Sequence, residues 1–508
     1  MKRIGITLLL IAAMLLTGCT GTPDATEPPT EDTPDTEKIM TIPEDAFPNS
    51  SNTILYARRV GSITGTAGFT NTMEKFNVYG TDLGIPYYDE TTGRLTLLFG
   101  DTYAAANFSG NWRSNVALYT PQKDYSTGIA FDGALCIDGP AESGVAGQLT
   151  PGANTVTPLL QGDKVKTPLT HTCIPTGVVM IGETTYIFYM EIDKKAFPPS
   201  GGWGVYCNRV VKSEDHGKTW SQGESLVWQA KDENEVEGIA PNFAQIYPVK
   251  ADGYVYIYGI CGGRSGGGKL GRVLEETFED FEAYEYFAGN NAEGAPIWRS
   301  GTNGLKYIKQ RDGAYVIDLP CGEMCVTYNE YLGKYLALYQ SGSNIVYRTA
   351  DTPWGTFSAP QTILSTSKDL GSGYGAFTCQ QLSDHGGQRI WIMCSEWTPV
   401  YNVSQIEVVF KLDGFILDFP GFFAIIFHRN VEQKETDRSY EFLQDRRDHR
   451  LFSLRGGKSS AQHRLLQREK APAHPGSGGA DELSSQPGSQ IPADEQDEAG
   501  LVLHPGHL

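Results

Sequence analysis

The chain has 508 residues and a formal net charge of −19 at pH 7, from 41 Lys and Arg against 60 Asp and Glu. This negative charge would repel nucleic acids and anionic lipid surfaces, so neither is expected as a partner. An uncharged polymer would not be repelled.

The N-terminus has the features of an exported bacterial lipoprotein. Lys2 and Arg3 precede the apolar run Ile4–Leu16, and the four residues Leu16–Cys19 resemble a lipobox. The run has about 13 residues, fewer than the ~20 that a membrane-spanning helix needs, and this length is typical of a signal peptide. We therefore predict a signal peptide over residues 1–18, lipid attachment at Cys19, and an extracytoplasmic location on the cell membrane.

Residues 19–50 are rich in Thr, Pro, Asp and Glu and contain almost no large apolar side chains. Such a segment cannot bury enough surface to fold, which predicts a disordered, extended tether. From residue 51 to about residue 412 the composition becomes that of a globular β protein, with aromatic and β-branched residues in short runs separated by turn residues. These changes predict a single folded region over residues 51–412.

A predicted β-hairpin near the start of this region carries two aspartates. Apolar runs of strand length lie on either side of the polar segment Asp89–Arg94, a pattern typical of two strands joined by a turn. If the hairpin contains no bulge, Asp82 lies directly opposite Asp101.

Directly opposed carboxylates destabilise a sheet, so a purely structural hairpin would avoid them. Their repulsion also separates their pKa values, so that one carboxyl can hold a proton while the other is ionised. Glycoside hydrolysis needs such a pair, one as acid and one as nucleophile or base. The structural alternative is that one aspartate caps a turn and the other faces solvent. Which aspartate would be the acid, and whether the reaction retains or inverts configuration, stays open from the sequence.

Short strands recur along the whole folded region. Five apolar runs that follow turns are expected to be inner blade strands: Leu95–Phe99, Thr185–Met190, Gly253–Gly259, Lys334–Tyr339 and Gln388–Met393. Their number and spacing predict an all-β fold, a five-bladed β-propeller. Helical periodicity is scarce, and Val273–Tyr286 is its best candidate.

The segment Ser213–Trp220 matches the S-x-D-x-G-x-T-W pattern called an Asp box. In this motif the Asp side chain can accept bonds from backbone N–H groups of the turn, Gly supplies a positive φ, and Trp packs under the sheet. We interpret it as a structural motif on the outer side of a blade, with no catalytic role for Asp215. The segment Thr349–Gly355 resembles a degenerate copy in another blade. A sialidase-like hydrolase is the functional alternative that the box suggests.

Nine short motifs follow one another along the folded region. They are Thr81–Gly84, Phe99–Thr102, Pro175–Gly177, Asn242-Phe243, Gly271–Val273, Tyr284–Tyr286, Cys321–Met324, Tyr374–Phe377 and Ser395–Trp397. This ordered set resembles the domain-of-unknown-function family 4185, parts of which are assigned to glycoside hydrolase family 183. The resemblance extends over about Ala57–Val408.

The resemblance implies a five-bladed propeller and, from characterised relatives, endo-acting cleavage of the D-arabinofuranose polymers of mycobacterial cell-wall glycans. It also implies that Asp82 and Asp101 are the catalytic pair. The expected partner is then a polysaccharide, an arabinan, bound by a monomer. A glycan-binding propeller without turnover is the alternative, although a binding module has no need to keep two opposed carboxylates.

Further polar and aromatic residues are candidates for binding the polysaccharide in the axial cleft: Arg113, Asn115, Arg272, Glu323, Trp112, Tyr284 and Trp397, with Tyr103 as another aromatic. The polar groups could bind hydroxyls or tune the acid, and the rings could stack on sugar faces. Each has a structural alternative. Arg113 and Asn115 could lie on a surface loop, and Arg272 could pair with an acid between blades. Glu323 could be a buried, hydrogen-bonded carboxylate, and the aromatic residues could pack in the core.

No cofactor is expected. Among the eight Cys after Cys19, Cys321 and Cys325 are close together, but no second Cys or His pair has metal-site spacing. One structural Ca²⁺ in the propeller channel would be compatible with the fold, although no loop indicates it. An exported chain can form disulfides, whose connectivity stays open.

Residues 413–508 differ abruptly from the rest. Six of the nine His occur here, and Trp and Cys are absent. The apolar run Phe415–Phe427 is too short to span a membrane. We expect a disordered tail and hypothesise that it is a frameshifted or otherwise aberrant sequence. The last outer strand of the fifth blade would then be damaged, and closure would depend on the early strand Thr53–Val60.

Overall fold

The computed structural model describes residues 39–48, 51–135, 170–193, 204–231 and 237–411. The predicted signal peptide, Cys19, most of the predicted tether and the tail 413–508 lie outside the described residues. Within them, the chain forms five antiparallel sheets.

Blades one to four are each built from consecutive strands of the chain, and blade five combines the N-terminal strand with the last strands. The N-terminal strand is β1 (Ile54–Ser62), and blade one contains β2 (Leu83–Asp89), β3 (Arg94–Phe99), β4 (Val116–Thr120) and β5 (Gly133–Ala134). Blade two contains β6 (Thr170–Ile181), β7 (Thr184–Asp193), β8 (Val205–Ser213) and β9 (Ser221–Gln229). Blade three contains β10 (Gln245–Ala251), β11 (Tyr254–Ile260), β12 (Gly268–Leu274), β13 (Glu285–Asn290), β14 (Pro296–Ser300) and β15 (Tyr315–Ile317).

Blade four contains β16 (Met324–Asn329), β17 (Lys334–Ser341), β18 (Asn344–Ala350) and β19 (Gln361–Ser365). Blade five contains β20 (Gly373–Phe377), β21 (Ser383–Asp384), β22 (Arg389–Glu396) and β23 (Asn402–Phe410). The described α-helices are α1 (Thr72–Phe76) and α2 (Gly301–Ile308), and short 3₁₀ turns cover Pro241–Phe243, Glu275–Thr277, Phe281–Ala283, Asp312–Ala314 and His385–Gly387.

The first strands of the five blades form a ring. β6 packs between β2 and β10, β16 packs between β10 and β20, and β20 contacts β2. This closed succession of five sheets is a five-bladed β-propeller, which confirms the predicted fold class.

The five apolar runs predicted as inner strands are instead the second strands of their blades, β3, β7, β11, β17 and β22. A second strand is flanked by a strand on each side and covered by a blade on each face, so nearly all its side chains are buried, as in β22. The first strands line the axis, and their sequences are less continuously apolar, as Gly-Tyr-Gly-Ala-Phe of β20 shows. The apolar pattern therefore gave the correct blade count but the wrong strand position.

The predicted helix over Val273–Tyr286 is wrong. β12 ends at Leu274, two 3₁₀ turns follow, and β13 begins at Glu285. Tyr284 and Tyr286 are fully buried, and their rings pack in a cluster around Trp228 and Phe243. Burial of these rings between blades two and three overrides the weak helical period.

The chain closes the ring with its N-terminal strand. β1 pairs with β23 as the outermost strand of blade five, from Ile54 opposite Phe410 to Ser62 opposite Ser404. Arg58 adds an ion pair with Glu407 at 2.5 Å. The early strand closes the ring, as predicted, but β23 is complete and pairs with β22 along its whole length. The damage expected in this blade is therefore not found among the described residues.

The Asp box joins β8 to β9 on the outer side of blade two, as predicted. Asp215 Oδ1 accepts hydrogen bonds from the N–H groups of Lys218 at 3.0 Å and Thr219 at 2.8 Å, and its Oδ2 accepts one from the Thr219 hydroxyl at 2.6 Å. Gly217 has a φ of 84°, and Trp220 is 8% exposed. The degenerate copy lies at the equivalent position between β18 and β19 of blade four.

Two further properties concern the described residues as a whole. Their seven cysteines carry thiol groups and form no disulfide with one another: Cys173, Cys207, Cys261, Cys321, Cys325, Cys379 and Cys394. No helix among these residues has the length and apolar character needed to cross a bilayer.

We predict that Asp215→Ala lowers the free energy of unfolding by about 1–2 kcal/mol, because the turn loses its side-chain acceptor. Urea denaturation measures the change. Asp351→Ala is the matched control from the degenerate copy, since its carboxylate is 82% exposed and contacts Lys334. A surface ion pair of this kind contributes about 0–1 kcal/mol, so equal effects of both substitutions would contradict the architectural role of the box.

Candidate functional site

The two aspartates lie at the end of the propeller where each first strand begins and each second strand ends. Asp82 immediately precedes β2, and Asp101 lies two residues after the end of β3. The start of β6 brings Thr172 to the same end, and the starts of β16 and β20 bring Glu323 and Tyr374. The ring therefore gathers residues that are distant in sequence around one end of its axis.

The β2–β3 hairpin contains a bulge. Its register is regular from the turn as far as Ile85, but Leu83 then pairs with Phe99, one position out of step. Leu83 and Gly84 have φ values of 70° and 77°, in the left-handed region. A bulge of this kind bends a strand and redirects the side chains beyond it.

Because of the bulge, Asp82 does not lie directly opposite Asp101, and the prediction of a hairpin without a bulge is wrong. The backbone carbonyl of Asp82 accepts a hydrogen bond from the N–H of Gly100 at 3.2 Å. A Cβ atom built on Gly100 would lie 2.3 Å from Asp82 Oδ1. Only glycine therefore leaves room for this carboxylate.

Blade five holds Asp82 in place. The Tyr374 hydroxyl donates a hydrogen bond to Asp82 Oδ2 at 2.8 Å, and the Tyr401 hydroxyl bonds to the same carboxylate. The adjacent N–H of Leu83 donates to Ser395 Oγ at 2.8 Å. The carboxylate and its backbone are thus both fixed by strands of the neighbouring blade.

Asp101 is fixed by its own blade and by blade two. Trp112 Nε1 donates a hydrogen bond to Asp101 Oδ1 at 3.1 Å, and Thr172 Oγ1 donates to the same oxygen at 2.8 Å. The Trp112 residue is 39% exposed and Thr172 is buried. The indole N–H of Trp112 therefore orients the Asp101 carboxylate, and the indole ring stays accessible to solvent beside this carboxylate.

Enclosure by protein raises the pKa of both carboxyls. Burial raises the pKa of Asp101 to about 6, and the hydrogen bonds from Thr172 and Trp112 oppose this effect. Burial, and then the negative charge of Asp101, raise the pKa of Asp82 to about 7, with a smaller contribution from Glu323. The two carboxyls are coupled, and Asp82 keeps its proton to higher pH.

An ion pair between Arg264 and Glu323 lies next to Tyr374. Arg264 Nη2 donates to Glu323 Oε1 at 2.7 Å and Arg264 Nε to Glu323 Oε2 at 2.9 Å. The guanidinium carbon lies 4.6 Å from the centre of the Tyr374 ring. Glu323 is therefore a buried, hydrogen-bonded carboxylate, the structural alternative for this residue, and its charge also acts on Asp82.

Four aromatic rings pack together beside the carboxylates. Phe108 lies 4.7 Å from Trp397, 5.1 Å from Tyr401 and 5.5 Å from Tyr103, measured between ring centres. Tyr401 bonds to Asp82, and the charges of Asp101 and Asp82 contribute, after burial, to a raised pKa of Tyr103. The predicted aromatic candidates Trp112, Trp397 and Tyr103 are thus all placed around the pair.

Arg113 and Asn115 lie just outside this group and are buried. The guanidinium of Arg113 donates hydrogen bonds to the carbonyls of Phe76 and Asn77, at the C-terminal end of α1. Asn115 donates to the carbonyl of Cys173 at 2.9 Å, next to Thr172. Both side chains hold the scaffold of the site, and neither lies on an exposed surface loop.

Arg272 and Tyr284 lie in blade three, and their contacts are with residues other than the two aspartates. Arg272 pairs with Glu285 at 2.9 Å and stacks on the rings of Tyr254 and Trp298. Tyr284 is fully buried, and its hydroxyl donates to the carbonyl of Phe278. The structure therefore gives Arg272 a packing role within blade three and Tyr284 one between blades two and three, and it does not place them with the aspartates.

Four residues that contact the pair or its neighbours were not predicted from the sequence as site residues: Tyr374, Tyr401, Thr172 and Arg264. Tyr374 lies within one of the nine ordered motifs, which was a signal for its importance without indicating its role. It is 292 residues from Asp82 in sequence, and such contacts follow from ring closure alone. The other three have no local pattern that distinguishes them.

The acidic, His and Cys side chains do not form a metal site in the part of the chain that the structure describes. In the described parts of the chain, no group of three or more His, Cys, Asp and Glu side chains is arranged to hold a metal ion. The carboxylates of Asp82 and Asp101 are instead engaged by hydroxyl and indole donors.

Comparison with protein families gives one match over most of the chain. A domain of unknown function, DUF4185, matches residues 67–407, a range that contains both aspartates and all five first strands. No curated protein matches the sequence.

Several solved structures resemble the chain distantly. A candidate hydrolase from Bacteroides ovatus ATCC 8483 is 12% identical, with a TM-score of 0.47, over 73% of this chain and 96% of the other. A family 117 glycoside hydrolase from the marine bacterium Zobellia galactanivorans is 11% identical, with a TM-score of 0.38, over 75% and 97%. A β-xylosidase/α-arabinofuranosidase from a compost microbial metagenome is 14% identical, with a TM-score of 0.36, over 65% and 91%.

We predict that Gly100→Ala destabilises the protein by about 1–3 kcal/mol, because the new methyl group would overlap Asp82 Oδ1. Gly313→Ala is the matched control, since a Cβ atom there meets nothing within 4 Å, and its effect is expected to stay within about 0.5 kcal/mol. Urea denaturation of both variants measures the difference. Equal stability of the two would show that the Asp82 side chain does not lie over Gly100.

We predict that Tyr374→Phe raises the pKa of Asp82 further above about 7. A hydroxyl that donates to a carboxylate favours the ionised form, so its removal favours the protonated form, by roughly one pH unit. A ¹³C NMR titration of aspartate carboxyl carbons measures the pKa, with Asp82→Asn to assign the resonance. Tyr328→Phe, at an exposed ring, is the control, and an unchanged or lowered pKa in Tyr374→Phe would refute the assigned bond.

Proposed function

We propose that this chain, which belongs to the DUF4185 family, is a glycoside hydrolase that uses Asp82 and Asp101 as acid and as nucleophile or base. The observation that carries the proposal is the enclosed carboxyl pair, with pKa values raised to about 7 and about 6. Two carboxyls whose environments separate their protonation can divide the acid and base roles of glycoside hydrolysis.

Asp82 is the acid. The charge of ionised Asp101 raises its pKa, so between pH 6 and 7 the singly protonated pair carries its proton mainly on Asp82. This proton passes to the oxygen of the scissile glycosidic bond as the bond to the anomeric carbon breaks. The Tyr374 and Tyr401 hydroxyls hold the resulting Asp82 carboxylate.

Asp101 is the nucleophile or base. Among the described residues, its two hydrogen-bond donors, Trp112 and Thr172, both bind Oδ1. Oδ2 is then the oxygen that attacks the anomeric carbon or takes a proton from the attacking water. The two donors also favour the ionised form of Asp101, which the reaction needs.

The substrate is a furanose polysaccharide, a D-arabinan cleaved internally. Support comes from the nine ordered motifs that resemble glycoside hydrolase family 183, and from the location of Asp82 and Asp101 within two of them. Charge also supports a neutral polymer, since an acidic sugar would meet both carboxylates, and the guanidinium of Arg264 is already paired with Glu323. The Asp box lies on the outer side of blade two and gives the sialidase-like alternative no support at the site.

The enzyme acts as a monomer outside the cytoplasm, attached to the bacterial membrane through lipid on Cys19. Support for this part of the proposal is the N-terminal sequence pattern, with its apolar run and lipobox-like residues. The tether of residues 19–50 would separate the propeller from the membrane surface.

The test is release of oligosaccharides from purified mycobacterial arabinogalactan. We expect fragments from the wild type, and rates about 10²–10⁴-fold lower for Asp82→Asn and Asp101→Asn, because each removes one proton-transfer or nucleophilic role. The dependence of kcat/KM on pH should be bell-shaped, falling below about 6 as Asp101 protonates and above about 7 as Asp82 loses its proton.

Asp351→Asn, at an exposed carboxylate of blade four, is the matched control and should keep full activity. Denaturation curves establish that each variant is folded. A folded wild type that binds the polymer without cleaving it would support the glycan-binding alternative. Full activity of either site variant would remove that aspartate from the mechanism.

A further inference from the structure

The loop between β3 and β4 places Phe108 at the surface beside the carboxylate pair. Phe108 is 37% exposed, and Trp112 of the same loop is 39% exposed. We call the packed rings of Tyr103, Phe108, Trp397 and Tyr401 the aromatic platform. The proposed reaction assigns no role to its exposed face.

The loop holds Phe108 in an unfavourable backbone conformation. Asn107 and Phe108 have φ values of 59° and 53°, within a tight turn closed by a hydrogen bond from the Ala105 N–H to the Ser109 carbonyl at 3.0 Å. Asn tolerates the left-handed region, but an aromatic residue there is unusual and costs free energy. Glycine would adopt this backbone conformation without strain. The strained phenylalanine at this position therefore points to a function of its exposed ring.

The rings pack closely against one another and leave no open cage between them. Phe108 is tilted by 32° to Trp397 at 4.7 Å, and Tyr103 meets Phe108 edge to face at 5.5 Å. Because the rings fill the space between one another, a cation has no cage to enter. The neighbouring carboxylates of Asp82 and Asp101 would repel an anion. A neutral ring with an apolar C–H face fits both constraints.

We infer that the aromatic platform binds a sugar ring of the polysaccharide adjacent to the bond that is cleaved, with Phe108 as the residue that touches it. This inference rests on the proposed function for the identity of the polymer. The platform is continuous with the carboxylates, because Tyr401, one of its rings, bonds to Asp82. Trp112, in the same loop as Phe108, bonds to Asp101. A chain bound across the carboxylates therefore extends over Phe108, on the side of blades one and five.

The test measures binding and cleavage separately. Binding of arabinogalactan oligosaccharides is measured by calorimetry in the Asp82→Asn background, with Phe108→Gly, Phe108→Ala or Tyr328→Ala added. We expect both Phe108 substitutions to weaken binding roughly tenfold through loss of stacking area. Tyr328→Ala removes an equally exposed ring on blade four and should leave binding unchanged.

Phe108→Gly separates binding from folding. Glycine adopts the left-handed conformation freely, so this variant should keep the wild-type melting temperature to within a few degrees while its affinity falls. In the active enzyme, the same substitution should raise KM for the polymer more than it lowers kcat.

The outcomes distinguish the two proposals. Unchanged binding in folded Phe108 variants, with cleavage by the wild type, would overturn the platform and keep the hydrolase. Binding that depends on Phe108, without cleavage by the wild type, would keep the platform and overturn the hydrolase. Absence of both binding and cleavage would overturn both.

Discussion

The pairing of β1 with β23 joins the two ends of the folded chain, and the propeller depends on it. Four of the five junctions in the ring connect blades that follow one another in sequence, whereas the fifth joins blade five to blade one. β1 covers the outer edge of β23 over the length of the strand, and Arg58 and Arg59 anchor it to Glu407 and Glu396. An uncovered β23 would present an open edge.

The candidate site lies across this same junction. Blade one supplies Asp82 and Asp101, and blade five supplies Tyr374, Tyr401 and the Ser395 acceptor for the backbone beside Asp82. The enclosure that raises both carboxyl pKa values therefore exists only in the closed ring. Local strand pairing alone would bring the two aspartates near each other, but it would leave them in water with ordinary pKa values.

Patterns that depend on neighbouring residues were predictable from the sequence. The five second strands, the Asp box with its Asp215 acceptor, and the two aspartates on one hairpin all follow from short-range spacing. The Leu83–Gly84 bulge was not predictable in this way, because it arises where the strand end bonds to blade five. Val273–Tyr286 failed for a related reason, since contacts with a neighbouring blade decided its conformation.

Side-chain roles were harder to predict than strands. Arg113 and Tyr284 have side chains suited to bind a sugar, but both are buried. Arg113 bonds to the C-terminal end of α1, and Tyr284 packs in the core. Tyr374 and Thr172 reach the aspartates from other blades, and their spacing in the sequence carries no trace of that contact. The type of a residue indicates which groups it can bind, but closure of the propeller determines which residues it contacts.

The thiols of the propeller have a consequence for its redox behaviour. Burial raises the pKa of Cys173, Cys321, Cys325, Cys379 and Cys394 above the ordinary value, so little of the reactive thiolate is present in the folded state. In an oxidising compartment, these five thiols would resist oxidants as long as the propeller is folded. The unfolded chain, with the same thiols exposed, would be open to mispaired disulfides, so closure of the ring also protects the chain chemically.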